Sequence, residues 1–368
     1  MIKLCFVGDI FPGGVFSEKG GLSQEVISLF KSYDIRIANL ESALYNGKSE
    51  CGVKMSDPKL GNLVFSPEES IRVLKDLDIN VVSLANNHVC DCGYEGLART
   101  IEVLKENGIA YFGAGRTEEE ARTPAVVSIQ GKTFCFLGYF PPEWEAPYPP
   151  QGTIGGLNQM ITDVVVEDIK KYKALYDYVF VLPHWGKEHT IFPLQVDVQR
   201  MHDFVEAGVD GIFATHSHCP QTYYMKNNVA IAMSMGNLLF PDRYIVSPRK
   251  TYYPELDELK DLKVPVTYDF PFVDSLTLVK MRGSGRIGLI CELLIDGNKK
   301  KIDSKHTVLD SNNILRLYHM NIFHKCKINS VRWLLSSPKV YKFFCRVMNA
   351  YLRRLTSSRY RYGDWNLN

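Results

Sequence analysis

The 368-residue chain has no apolar run near the ~18 residues that a membrane-spanning helix requires, so no such helix is expected. Its first residues, "MIKLCFVGDIF", enter a strand pattern directly, without a basic, apolar, small-residue leader, and no signal peptide is expected. The nine cysteines show no repeating spacing, and Cys90 and Cys92 stand closer than the usual two-residue gap of a zinc or redox pair. That usage fits reduced, buried or half-buried thiols in a cytosol better than a disulfide framework. There is no internal repeat and no low-complexity tract. A net charge of +2 excludes a strongly charged partner for the molecule as a whole. One absence is local: no Asp or Glu occurs from Arg316 to Arg361.

What is present describes an ordinary globular protein, 45% hydrophobic and 23% charged. Short β-branched runs, "IKLCFVG", "IRIANL", "NVVSLAN", "YVFVLPH" and "GIFATH", alternate with helical patterns. In "GYEGLARTIEVLKENG", for instance, Leu97, Ile101 and Leu104 recur at helical spacing and Gly108 supplies a stop. This alternation predicts an α/β layered fold. "AVVSIQGKTFCFLGYF" reads as a hairpin around Gln130-Gly131, which makes the sheets mixed. A second hairpin is expected in "FVDSLTLVKMRGSGRIGLICELLID", turning at "RGSG". Proline-rich loops are expected over residues 140 to 156, with the composition of a lid or substrate wall, and again from Pro241. After about Ser311 the pattern changes to short basic-aromatic helices. The expected division is a main domain over 1–300 and a basic, aromatic helical extension over 301–368.

Each of the five runs ends in a group able to bind metal: Asp9; Asn39 and Glu41; Asn87 and His88; His184; His216 and His218. In open α/β sheets ligands bind at the carboxyl ends of strands. One polar residue there is usually a cap or turn former, whereas five in register point to a site. The mixture of carboxylate, amide and imidazole suits Mn, Zn or Fe. Two ions about 3.5–4 Å apart need a bridging carboxylate, and Glu41 is the natural candidate.

The motifs "GDIF", "NLES", "SLANNHVCDCG", "GAG", "LPHWGKEH", "THSHCPQ" and "SMGNLLF", in that order, resemble the CapA family of capsule-synthesis proteins linked to poly-γ-glutamate. That family looks like a branch of the calcineurin-type metallophosphoesterases, and the resemblance covers roughly residues 1 to 245. It implies one divalent ion held by Asp9 and His218, a second held by Asn87, His184 and His216, and Glu41 bridging them. It implies that His88 is an uncoordinated acid or base facing the substrate. One departure stands out: where phosphoesterases usually carry a histidine two residues after the first aspartate, this chain has Phe11. The resemblance therefore implies a first site short of one ligand.

Beside these ligands, Asp91 has two readings, orienting His88 or capping the following helix, and Asn86 reads as a turn former. His189 either contacts substrate or is a surface histidine. Asn39 and Asn237, at strand ends, are expected beside the substrate. The tail has two readings as well. Lys339, Lys342, Arg346, Arg353 and Arg354, interleaved with Tyr341, Phe343 and Phe344, can rest on an anionic membrane surface, or the aromatics can pack on the main domain. Nucleic acid is not expected as a partner, because no binding module accompanies the charge. The leading functional expectation is a cytoplasmic, metal-dependent hydrolase, at the membrane face if the tail docks there. Its substrate would be an anionic, γ-glutamyl or peptide-like amide, or a phosphoester. A peptide epimerase and a non-catalytic capsule-assembly component are the alternatives.

Overall fold

The computed structural model describes residues 1–46, 64–142, 156–245, 277–281, 283–297, 299–319, 331–335 and 337–355. The first strand, Ile2–Ile10, sends alternate side chains to opposite faces, and both faces are apolar. Leu4 and Phe6 point one way, into a cluster shared with Phe136, Phe180 and Phe213. Cys5 and Val7 point the other way, into a second cluster that also holds Leu97, Ile101 and Leu104 of the helix Gly93–Glu106. A strand covered on both sides reads as a continuous hydrophobic run, which is how "IKLCFVG" appears.

The consequence is a helix–sheet–sheet–helix sandwich. In the nine-stranded sheet, Ile2–Ile10 lies parallel to Ile35–Leu40, which lies parallel to Val81–Ser83, with Ile287–Asp296 antiparallel on the other side. In the six-stranded sheet, Lys132–Tyr139, Tyr178–Pro183, Gly211–Phe213 and Val229–Ala232 are parallel neighbours. The sheets meet through stacked aromatics, with the Phe6 and Phe213 rings 3.6 Å apart. Emptying that position by Phe6→Ala is expected to cost about 3–5 kcal/mol. The helices Thr162–Lys173 and Gln195–Glu206 cover the outer face of the second sheet with Val165, Ile169, Met201 and Phe204.

The expected hairpin at Gln130-Gly131 is present, both residues having positive φ (50° and 72°). The one at "RGSG" is not found among the described residues. Gly283–Arg286 forms a 3-10 turn, and Thr277–Val279 pairs with Arg243–Ile245. Ile287–Asp296 has both edges filled, by Ile2–Ile10 and Lys299–Leu309, so no edge is left for Thr277–Val279. The sheet also runs past residue 300 and past Ser311, because Lys299–Leu309 and Ile314–Tyr318 are two of its strands. Residues 301–318 therefore belong to the sheet and not to the helical extension. Their lysine-rich alternation is that of a strand with one face in water, with Lys299 and Lys301 exposed. The extension's helix is Pro338–Leu355.

All seven cysteines among the described residues are buried; Cys51 and Cys326 lie outside them. Most of both proline-rich stretches also lies outside the described residues. No described helix is long and apolar enough to cross a membrane.

Candidate metal centre

The centre is built where parallel strands of both sheets end. Asp9 follows a shift in register between the first strand and Ile35–Leu40, and aligns with Asn39 on one side and Asn237 on the other. Gly8 permits this approach: a Cβ there would lie 1.7 Å from the Gly236 carbonyl oxygen, which accepts the Asp9 N–H at 2.9 Å. Across the sandwich, His184 follows Tyr178–Pro183 and His216 and His218 follow Gly211–Phe213. His216 and His218 have φ of 89° and 51°. Such conformations cost non-glycine residues on the order of 1–3 kcal/mol and persist only where surrounding contacts hold them. Here the His216 N–H donates to Asp9 Oδ2 at 3.3 Å and the Ser217 hydroxyl donates to the Cys219 carbonyl at 2.7 Å.

Two groups of ligand atoms result, each within 4.8 Å: Glu41, His184 and His216, and Asp9, Glu41 and His218. All five residues are buried. Glu41 is common to both, its Oε1 lying 3.7 Å from His184 Nε2 and 3.7 Å from His218 Nε2. Asn87 joins the first group, with Oδ1 2.8 Å from His184 Nε2, and His216 Nδ1 lies 3.1 Å from the same nitrogen. An amide oxygen, a carboxylate and two imidazole nitrogens thus crowd one point, a donor set that fits a divalent cation of the Mn, Zn or Fe type.

Burial pushes the His184 imidazole well below its ordinary pKa, with His216, His218 and His88 adding to the effect. Burial likewise lowers His216, to about 4, against the opposing pull of Glu188 and Asp9. Both are therefore neutral at pH 7, the form that binds metal. Burial also disfavours charge on His218, but Asp9, Glu188 and Asn237 outweigh it and raise this imidazole above its ordinary value.

Asn39 and Asn237 lie behind the ligands and not in front of them. Asn39 is buried, donating to Asp9 Oδ1 at 2.9 Å, with its Nδ2 3.3 Å from His184 Nδ1. The Asn237 amide donates to the Gly285 carbonyl at 2.8 Å, so its oxygen must face His218 Nδ1, also at 2.8 Å. That places the proton on Nδ1 and leaves Nε2 toward Glu41, the orientation an outer partner gives a ligating histidine. Asn86 is the turn former: its oxygen accepts the N–H groups of His88 and Val89 at 3.1 and 2.9 Å.

His88 stands in front, half-buried, with Nε2 4.0 Å from Glu41 Oε1. Asp91 Oδ2 lies 2.7 Å from His88 Nδ1 and also accepts the Val64 N–H at 2.6 Å. Asp91 caps nothing, since the helix Gly93–Glu106 begins after Cys92 without a side-chain cap. His189 is exposed on the rim, its ring 5.7 Å from that of His218. Phe11 packs on Phe240 at 5.2 Å, and the Phe240 ring meets His218 edge-on at 4.8 Å, so an apolar wall stands beside the group of Asp9, Glu41 and His218.

Sequence reasoning passed over Thr215, whose hydroxyl lies 2.7 Å from His184 Nδ1. It also passed over Glu188, inside the quoted "HWGKEH". Burial pushes that carboxyl up, but the imidazoles of His218, His216, His189 and His88 prevail and hold it below its ordinary value. An acidic residue four positions after the strand-end His184 was the available signal.

Residues 3–242 match the family described as bacterial capsule synthesis protein PGA_cap. The chain is 28% identical over 247 residues to the PGA biosynthesis protein CapA of Bacillus subtilis, covering 65% of this chain and 63% of that one. It is 29% identical over 177 residues to the capsule biosynthesis protein CapA of Bacillus anthracis, covering 47% and 43%. The match thus spans less than two thirds of either relative. Similar solved structures include the calcineurin-like phosphoesterase YfkN of Bacillus subtilis (14% identity, 91% and 97% of the two chains, TM-score 0.43). Another is the NAD nucleotidase of Haemophilus influenzae (14% identity, 96% and 60%, TM-score 0.42). With the match covering most of the chain and all the candidate ligand residues named above, the protein belongs to the bacterial capsule synthesis protein PGA_cap family.

Proposed function

We propose that this chain is a metal-dependent hydrolase of capsule-polymer metabolism that cleaves an amide bond in an anionic, γ-glutamyl or peptide-like substrate. The observation that carries the reading is Glu41 Oε1, 3.7 Å from an imidazole nitrogen of each ligand group and 4.0 Å from His88 Nε2. Asp9, Glu41 and His218 would hold one divalent ion, and Glu41, Asn87, His184 and His216 a second. Such ions supply polarisation of a carbonyl or phosphoryl oxygen. His88 would donate the proton that the leaving nitrogen needs, and Asp91 fixes the ring so that Nε2 faces the reacting atoms. A purely structural site has no use for an uncoordinated histidine oriented by a carboxylate, which disfavours a non-catalytic assembly role.

The test is metal analysis of the purified protein, followed by turnover assays on γ-glutamyl peptides and aryl phosphates. Metal-dependent release of free amine supports the proposal. Turnover confined to phosphates, or deuterium uptake at Cα without cleavage, would move the assignment to a phosphoesterase or an epimerase. A fully loaded protein inert to both classes would end the enzymatic reading.

A further inference from the structure

We infer that the helix Pro338–Leu355, together with Trp333, is a docking face for an anionic lipid bilayer. The helix presents three faces of different chemistry. Tyr341 and Cys345 are buried against the second sheet's outer cluster, and the Phe344 ring packs 5.2 Å from Phe192. Val340, Phe343 and Val347, spaced i, i+3 and i+7, form one apolar stripe turned to water, with exposures of 39%, 68% and 50%. Trp333, just before the helix, is 70% exposed. Lys339, Lys342 and Arg346 repeat the same spacing one residue earlier, so they form an exposed basic stripe about 100° around the helix.

The charges choose the occupant. Aromatic side chains beside Lys and Arg suit the interfacial zone of a bilayer, where rings enter the acyl boundary and cations meet anionic headgroups. No acidic side chain occurs from Arg316 to Arg361 to oppose that attraction. A second copy of this chain would set one basic stripe near another with no carboxylate between them, whereas a lipid surface supplies the missing negative charge. The face is also fastened to the centre's own loop. The Tyr341 hydroxyl donates to the Pro193 carbonyl, and Phe192 and Pro193 end the segment that carries His184 and Glu188.

The experiment is flotation of the full chain with phosphatidylglycerol vesicles and, separately, with phosphatidylcholine vesicles. The expected result is co-flotation with phosphatidylglycerol, weakened by salt and largely absent with phosphatidylcholine. Lys342→Glu with Arg346→Glu should lower the partition coefficient roughly tenfold or more. Trp333→Ser with Phe343→Ser should lower it independently. These side chains are exposed, and unchanged melting curves by circular dichroism would show that both variants fold. Failure of the parent protein to float with phosphatidylglycerol would overturn the inference, as would two variants that float like the parent. A parent dimer that Trp333→Ser with Phe343→Ser turns into monomer would assign the face to a second copy instead.

Discussion

The two halves of the centre share Glu41 and differ in almost everything else. On one side, burial has already removed the competing proton: His184 and His216 are neutral imidazoles, joined by the Asn87 oxygen. On the other, Asp9 raises the proton affinity of His218 despite its burial, and the wall of Phe11 and Phe240 stands where a further ligand is expected. A cation entering the second half displaces no proton, whereas one entering the first half competes with a proton on His218. Burial of an imidazole and pairing it with a carboxylate are thus opposite ways of preparing a ligand, and their affinities should be unequal.

The largest effect expected is from the richer half. His184→Ala or His216→Ala should remove most of the metal measured by elemental analysis, and content unchanged by both would undo the assignment. Next, His88→Ala should leave metal content intact and lower turnover by about 10²–10⁴-fold, the usual worth of a positioned acid or base. If it loses metal while Asn87→Ala does not, the two neighbours have exchanged roles. Third, Asn237→Ala frees His218 to rotate and should weaken only the first half, by about 10–100-fold in metal affinity. Calorimetric titration of the metal-free protein reads this as a change in the weaker of two steps.

Phe11→His acts on the same half from the other direction. It should tighten the weaker step by a smaller factor, and an unchanged step accompanied by lower stability would show that Phe11 serves packing alone. The smallest effect is in pH. Because the His218 pKa is raised and that of His216 is lowered to about 4, acidification should protonate His218 first. The weaker step should then fade at a higher pH than the stronger one. Two steps that fade together would mean that the halves load as one unit.

Much of this was legible in the residues alone. The α/β layering follows from apolar runs that alternate with helical spacing, and Leu97, Ile101 and Leu104 do pack as their periodicity implies. The strand-end residues Asp9, Glu41, Asn87, His184, His216 and His218 lie together because parallel strands deliver their carboxyl ends to one rim. Periodicity reports which face of an element is buried, and it is a local property.

What it does not report is which edge pairs with which, or what lies behind a side chain. "RGSG" has a turn's composition, yet Ile287–Asp296 finds longer partners on both edges. Asn39 and Asn237 stand at strand ends like the ligands, and only the register of distant strands places them behind Asp9 and His218. The tail held two readings in the sequence, a membrane surface or packing of its aromatics on the main domain, and which aromatic is buried was not legible there: Tyr341 faces inward and Phe343 outward. Residue order alone settles which groups are present and the local elements that carry them. Which of them gather at the candidate centre and which stand behind it depends on tertiary contacts, because a hydrogen bond between residues far apart in the chain exists only after the sheets have met.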